Sequence, residues 1–233
     1  MATIQPLSLL ATNAQHHLDV RDKKISLYVL QEVHRVLKSE CAVDESIDLK
    51  TDHFEGLRAD ILAWGQFVDH DIQEISCDKD EGIKFDRYLI TKREPTKDAQ
   101  PEKMAVVISS EGLLDLVSPL GFALAAALAG ISVSIFFQGP GVHVLRKDFE
   151  GSLPGWKAPF SRFARKGMAK MGHVTPQEKL EQLMQLGAHI YVCHPSMEVF
   201  KVAEKDLVRS DITRCEYTRF LMEMRHASVH IYT

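Results

Sequence analysis

Among the side chains of this 233-residue sequence that could do covalent chemistry, four thiols stand out: Cys41, Cys77, Cys193 and Cys215. A thiol acts as nucleophile or carrier through its thiolate, so its surroundings must favour negative charge. Cys193 follows the run Ala188 to Val192 and precedes His194-Pro195-Ser196-Met197-Glu198. That order predicts a strand with the thiol at its carboxyl end, then a helical turn. Ligands of open parallel sheets collect at that edge, and the turn's free amides and dipole, with His194, Ser196 and Met197 close by, would support a thiolate or persulfide. The bland reading is a strand-end cysteine packed as a small hydrophobe, and spacing alone leaves both open. Cys215, inside or near the last helix, is a candidate resolving thiol, with a packing role favoured.

Between Gly151 and Pro176 the chain has Lys157, Arg162, Arg165, Lys166 and Lys170, no carboxylate, and the aromatics Trp156, Phe160 and Phe163. This basic amphipathic insertion could cover the cysteine edge, with Arg162, Arg165 and Lys166 contacting an anionic substrate or partner; a solvated face fits equally well. His189, Cys193 and His194 do not make a metal site, because neighbouring strand side chains point to opposite faces. No metal is expected. Ser109-Ser110-Glu111-Gly112 lacks the glycines of a phosphate loop, so no nucleotide or other cofactor is expected either.

These residues need elements to hold them, and the composition provides for a core. With 45% hydrophobic and 26% charged residues the chain is not a disordered tail. Its 28 basic and 32 acidic residues give a net charge of -4, which disfavours a nucleic-acid partner. Singly spread cysteines without a CxxC pair indicate a reducing compartment. The segment Met1 to Asn13 has neither a basic n-region nor a transit-peptide arginine, and a cytoplasmic protein is expected. Leu116 to Val142 is uncharged and long enough to cross a bilayer, yet it changes at Gly130 from Ala/Leu to Ile, Val and Phe. A buried helix, a glycine stop and a buried strand are the favoured reading, not a membrane span.

The polar stretch 94–103 is read as a linker between a domain at 1–93 and a domain at 104–233. Residues 1–93 hold 12 basic and 17 acidic side chains, whereas residues 104–233 hold 14 and 12. In the first, strands at Leu18-Asp19-Val20, Ile47 to Thr51, Ile72 to Ser76 and Ile83 to Thr91 alternate with two helical stripes, giving a βαβαββ two-layer sandwich. In the second, strands at Ala105 to Ile108, Ile131 to Phe137, Ala188 to Val192 and Ser228 to Tyr232 alternate with helices. The helix after Thr175-Pro176-Gln177-Glu178 opens on a capping box. This predicts an α/β fold with a mostly parallel sheet in three layers.

The second domain resembles the DsrE/DsrF family of sulfur-handling proteins. The resemblance is carried by Val106-Val107-Ile108-Ser109, Leu114-Asp115, Ala129-Gly130, Val133 to Phe137, Gly141, and Gly187 running into Val192-Cys193-His194-Pro195-Ser196-Met197. It implies that Cys193 accepts sulfane sulfur as a persulfide, that sulfur-donor and sulfur-acceptor proteins are the partners, and that the chain assembles as a homo-oligomer. The first domain, from about His17 to Lys92, is similar to the TusA/SirA carriers through Leu18-Asp19-Val20, Thr51-Asp52 to Arg58, Asp60-Ile61, Trp64, His70 and Tyr88-Leu89-Ile90. That family's cysteine lies in a Cys-Pro-x-Pro signature where this chain has Ile25-Ser26-Leu27-Tyr28, so a docking role without sulfur is implied. Trp64 to Asp71 also looks like the distal-histidine segment of animal haem peroxidases, but no proximal segment accompanies it and its residues fit the second helix and next strand. The expectation is a sulfur carrier or sulfurtransferase; the alternative is a non-catalytic scaffold of a sulfur-relay complex.

Overall fold

A computed structural model describes residues 14–53, 55–80, 82–94, 102–153 and 155–233. The segment Met1 to Asn13 and most of the expected linker lie outside the described residues. The chain divides into two compact units, Met1–Ala99 and Gln100–Thr233.

The first unit runs β1 (His16–Asp19), α1 (Ser26–Ser39), β2 (Ser46–Asp52), α2 (Glu55–Val68), β3 (Asp71–Asp80) and β4 (Ile83–Thr91), the βαβαββ order expected. Its sheet has the order β1-β2-β4-β3, with β1 parallel to β2 and the other pairs antiparallel. Register sets Ile47 opposite Ile90 and Leu49 opposite Tyr88. These four, with Leu57, Ile61 and Trp64 of α2 and Val29 and Val33 of α1, are core residues, because helical and strand periods each gather apolar side chains onto one face. Asp48 and Arg87, on the alternate positions of the same strands, are polar. Asp48 accepts two hydrogen bonds from the Arg87 guanidinium, at 2.8 and 3.1 Å.

β3 continues past its expected end at Ser76. Asp78, Lys79 and Asp80 are poor strand formers, but their pairing with Phe85, Lys84 and Ile83 carries the ladder on to the turn at Gly82, whose φ is +86°. Cys77 is therefore a strand residue, directly opposite Asp86.

The second unit runs β5 (Lys103–Ile108), α3 (Leu113–Leu128), β6 (Ser132–Phe137), α4 (Ser161–Lys170), α5 (Pro176–Gln185), β7 (His189–Cys193), α6 (His194–Val199), β8 (Thr213–Cys215), α7 (Tyr217–Arg225) and β9 (Val229–Tyr232), with short 3-10 turns between. Lys103, assigned by composition to the linker, begins β5. The sheet order is β8-β7-β6-β5-β9 and every pair is parallel. Ala105, Val107, Phe136, Tyr191, Cys193 and Cys215 form one face and pack on Phe220 of α7. The alternating Val106, Ile108, Ile135, Phe137 and Val192 are buried on the other face, against which α3 lies.

Covering both faces explains the uncharged run Leu116 to Val142. It divides into α3, a turn at Gly130 with φ of +79°, β6 and a 3-10 turn. Among the described residues no helix is long and apolar enough to cross a membrane. The capping box forms: Thr175 Oγ1 accepts from the Glu178 amide at 3.2 Å, and Glu178 Oε2 accepts from the Thr175 amide at 2.7 Å. One residue later, Lys179 is buried and donates to the Val117 carbonyl of α3 at 3.0 Å.

The strand that the sequence did not disclose is β8. Thr213-Arg214-Cys215 offers one buried apolar side chain in three residues, too few for an alternation to register. Cys215 accordingly ends a strand, two residues before the last helix begins at Tyr217.

Candidate functional site

β7 is the second strand of its sheet, and its last residue is Cys193. A five-residue run buried after its first position brings the chain to the sheet's carboxyl edge, and Pro195 then starts α6. The thiol is in the expected place. Its surroundings differ from the expectation in three respects.

First, the Cys193 side chain is fully buried, with 0% exposure. It belongs to the apolar cluster beneath α7 and makes no capping hydrogen bond to the amides of α6. Secondly, its polar neighbour is a residue that sequence reasoning missed. The Tyr217 phenol neighbours the Cys193 sulfur, and its electrostatic interaction with that group pushes the phenol pKa up. The Tyr217 ring is edge-on to Phe136 at 6.1 Å, and the side chain is otherwise exposed. Its signal in the sequence was position: it follows Cys215 by two residues, and only β8 shows why that matters. Thirdly, Cys215 pairs in register with Cys193 across neighbouring parallel strands. Burial pushes the Cys215 thiol up from its ordinary value, so it is protonated at neutral pH.

Cys215 also lines a cleft of about 850 Å³, with His194, Lys205, Arg209, Arg214 and Glu216 on its walls. His194 is exposed there and faces Glu198 at 3.5 Å. The two arginines are held by carboxylates, Arg209 by Asp211 at 2.8 Å and Arg214 by Glu204. Their positive charge is thus partly balanced.

Other expected contributors have partners elsewhere. Ser196 Oγ accepts from the Gly139 amide at 2.9 Å and so secures the loop after β6. Met197 is buried in the packing of α6. Arg162 and Arg165 line a separate cavity of about 550 Å³ with Glu111, His143 and Arg146, and Arg165 pairs with Glu150 at 2.7 Å. Lys166 is exposed and lines neither space. Arg162 and Arg165 thus do not share the cleft that Cys215 and His194 line. The lysine and arginines on the cleft that Cys215 lines are Lys205, Arg209 and Arg214.

In the first unit, α1 begins at Ser26 without a thiol, and the Ser26 hydroxyl donates to Asp60. Cys41 follows α1 and is buried. His70 sits between α2 and β3, edge-on to Trp64 at 6.1 Å, and its Nδ1 accepts from the Arg93 amide at 3.3 Å.

The DsrE/DsrF-like family matches residues 102–229, more than half of the chain. Solved structures similar to the chain include the crystal structure of the ychN protein from E. coli. It is 13% identical, with a TM-score of 0.42, over 57% of this chain and 100% of that one. No curated protein sequence matches.

Proposed function

The chain belongs to the DsrE/DsrF-like family, which is associated with sulfur relay, and from this we propose that it carries sulfane sulfur as a persulfide on Cys193. The observation that carries the reading is the convergence of Cys193, Cys215 and the Tyr217 hydroxyl at the carboxyl edge of the sheet. The Cys193 thiolate attacks the outer sulfur of a donor persulfide. A new S–S bond forms, the donor's S–S bond breaks, and the donor leaves as a thiolate, with no net redox change. The Tyr217 hydroxyl donates to the anionic sulfur before and after transfer. Because Cys193 is fully buried, loading requires movement of the exposed Tyr217 side chain away from the sulfur. His194 and Cys215 stand on the cleft side, where an acceptor thiol would approach.

The first unit serves in this reading as a TusA-like docking module. Its βαβαββ order supports this, and the serine at the start of α1 leaves it without a sulfur-carrying role there. The four free thiols fit a cytoplasmic protein, and the exposed Trp156, Phe160 and Phe163 fit a homo-oligomer.

Incubation with a persulfide donor followed by intact-mass measurement tests the reading. Wild type and Cys215→Ser gain one sulfur, and Cys193→Ser gains none. An equal gain in Cys193→Ser would remove the assignment. The complete burial of Cys193 favours a second reading, a non-catalytic scaffold of a sulfur-relay complex, in which Cys193 packs as a small hydrophobe and no variant gains sulfur.

A further inference from the structure

His53, Cys77 and Asp86 come from three separate segments of the first unit: the end of β2, the middle of β3 and the start of β4. Cross-strand pairing sets Cys77 directly opposite Asp86, and Asp86 opposite Thr51, two residues before His53. One donor atom from each of the three lies within 4.8 Å of the others. His53 Nδ1 is 2.8 Å from Asp86 Oδ1 and 3.6 Å from Cys77 Sγ.

Both partners approach the same ring nitrogen. A nucleophile, base and orienting carboxylate would use the two opposite nitrogens of the imidazole, so this is not a hydrolytic triad. Three donors facing one point instead match the way a single cation gathers its ligands. Tetrahedral zinc with bonds of about 2.0–2.3 Å holds its ligand atoms roughly 3.3–3.8 Å apart. The sulfur–nitrogen separation already has that value. The nitrogen–oxygen separation opens by about half an ångström when a metal replaces the shared proton.

A second observation points into the same place. The three residues line a cavity of about 300 Å³ with Arg58, Glu74 and Tyr88. Tyr88 is 1% exposed, and its hydroxyl has no hydrogen-bond partner among the described residues. An orphaned buried hydroxyl carries a cost unless something in the cavity satisfies it. Arg58 and Glu74 pair with each other at the wall, which leaves neither charge directed solely at the cavity.

We propose that His53, Cys77 and Asp86 bind a divalent first-row metal ion of the zinc class, with a water in the fourth position held by the Tyr88 hydroxyl. Thiolate, imidazole and carboxylate together are a zinc-type donor set, and three protein ligands beside a cavity describe an open site. Binding displaces the thiol proton of Cys77 and the proton shared by His53 and Asp86. Affinity consequently falls as pH falls. The site is independent of Cys193 and of the sulfur-carrier reading.

Cobalt(II), a spectroscopic substitute for zinc, is the probe, added to the full-length chain under reducing conditions. Wild type takes up one equivalent with a thiolate-to-cobalt charge-transfer band and the intense visible bands of a tetrahedral ion, both removed by zinc. Cys77→Ser abolishes the charge-transfer band, and His53→Gln, at an exposed position, weakens binding more than about 100-fold. Tyr88→Phe weakens it by about 10-fold, as loss of an outer-shell partner does. Cys41→Ser, Cys193→Ser and Cys215→Ser keep the wild-type spectrum. Absence of the band in wild type, or its persistence in Cys77→Ser, overturns the proposal.

Discussion

The two units present their thiols in opposite ways. In the second, Cys193 and Cys215 sit on a parallel sheet and are buried among Phe136, Tyr191 and Phe220. In the first, Cys77 is exposed on an antiparallel hairpin beside an imidazole and a carboxylate. The difference follows from the local cover over each thiol. Parallel strands flanked by helices are covered on both faces, and Cys193 and Cys215, at the ends of β7 and β8, are buried. In the first unit the β3–β4 ladder runs on to its turn past the apolar core, and there Cys77, opposite Asp86, is left in reach of water. A cysteine's place in a fold therefore does not by itself state its reactivity; the local cover does.

The comparison can be broken most forcefully through the cover of Cys193. Phe220 is 2% exposed and stacks on Phe136 with ring centroids 4.9 Å apart. Phe220→Ala should cost about 3–5 kcal/mol of stability in the second unit, read by hydrogen exchange, and should speed alkylation of Cys193. No change in Cys193 labelling would mean that α7 is not its cover. In the first unit the matching test is electrostatic. Arg87→Met leaves the buried Asp48 carboxylate without its guanidinium, beside the exposed His17 ring at 3.2 Å. A loss of about 3 kcal/mol is expected, followed through the fluorescence of the buried Trp64.

A milder test leaves the wild-type chain intact. With an iodoacetamide-type reagent at neutral pH, Cys77 should label roughly 100-fold faster than Cys193, since Cys193 reacts only from locally opened forms. Comparable rates would erase the contrast. The smallest effect concerns Lys179. Burial lowers its pKa below the usual lysine value, so the unfolded chain binds more protons between the folded and unfolded pKa values. The cost of burying the charge is full below the folded pKa and is relieved as pH rises through it. Lys179→Met should be stabilising by about 1 kcal/mol at neutral pH, and its advantage should shrink in denaturant titrations at alkaline pH.

Much of the fold was legible because long elements carry strong periodic signals. The helix stop at Gly130, the capping box at Thr175 and the strand leading into Cys193 all rest on local chemistry that tertiary structure did not override. β8 escaped because three residues cannot show a period, and with it went the neighbourhood of Cys215 and Tyr217. The end of β3 was misplaced because ladder hydrogen bonds overcame the turn preference of Asp78 and Asp80. The basic insertion was assigned to the cysteine edge on charge alone, which says nothing about where a segment of that length lands. Nor could the sequence reveal His53, Cys77 and Asp86 together, since their meeting depends on strand register.

Mapping the added sulfur to a peptide is the most direct test of the central claim. After exposure to a persulfide donor, free thiols and persulfides are alkylated, the chain is digested, and the extra sulfur is located by tandem mass spectrometry. The account predicts it on the peptide containing Cys193, in wild type and in Cys215→Ser alike. Finding it on Cys77 or Cys215, with Cys193 unmodified, would contradict the account.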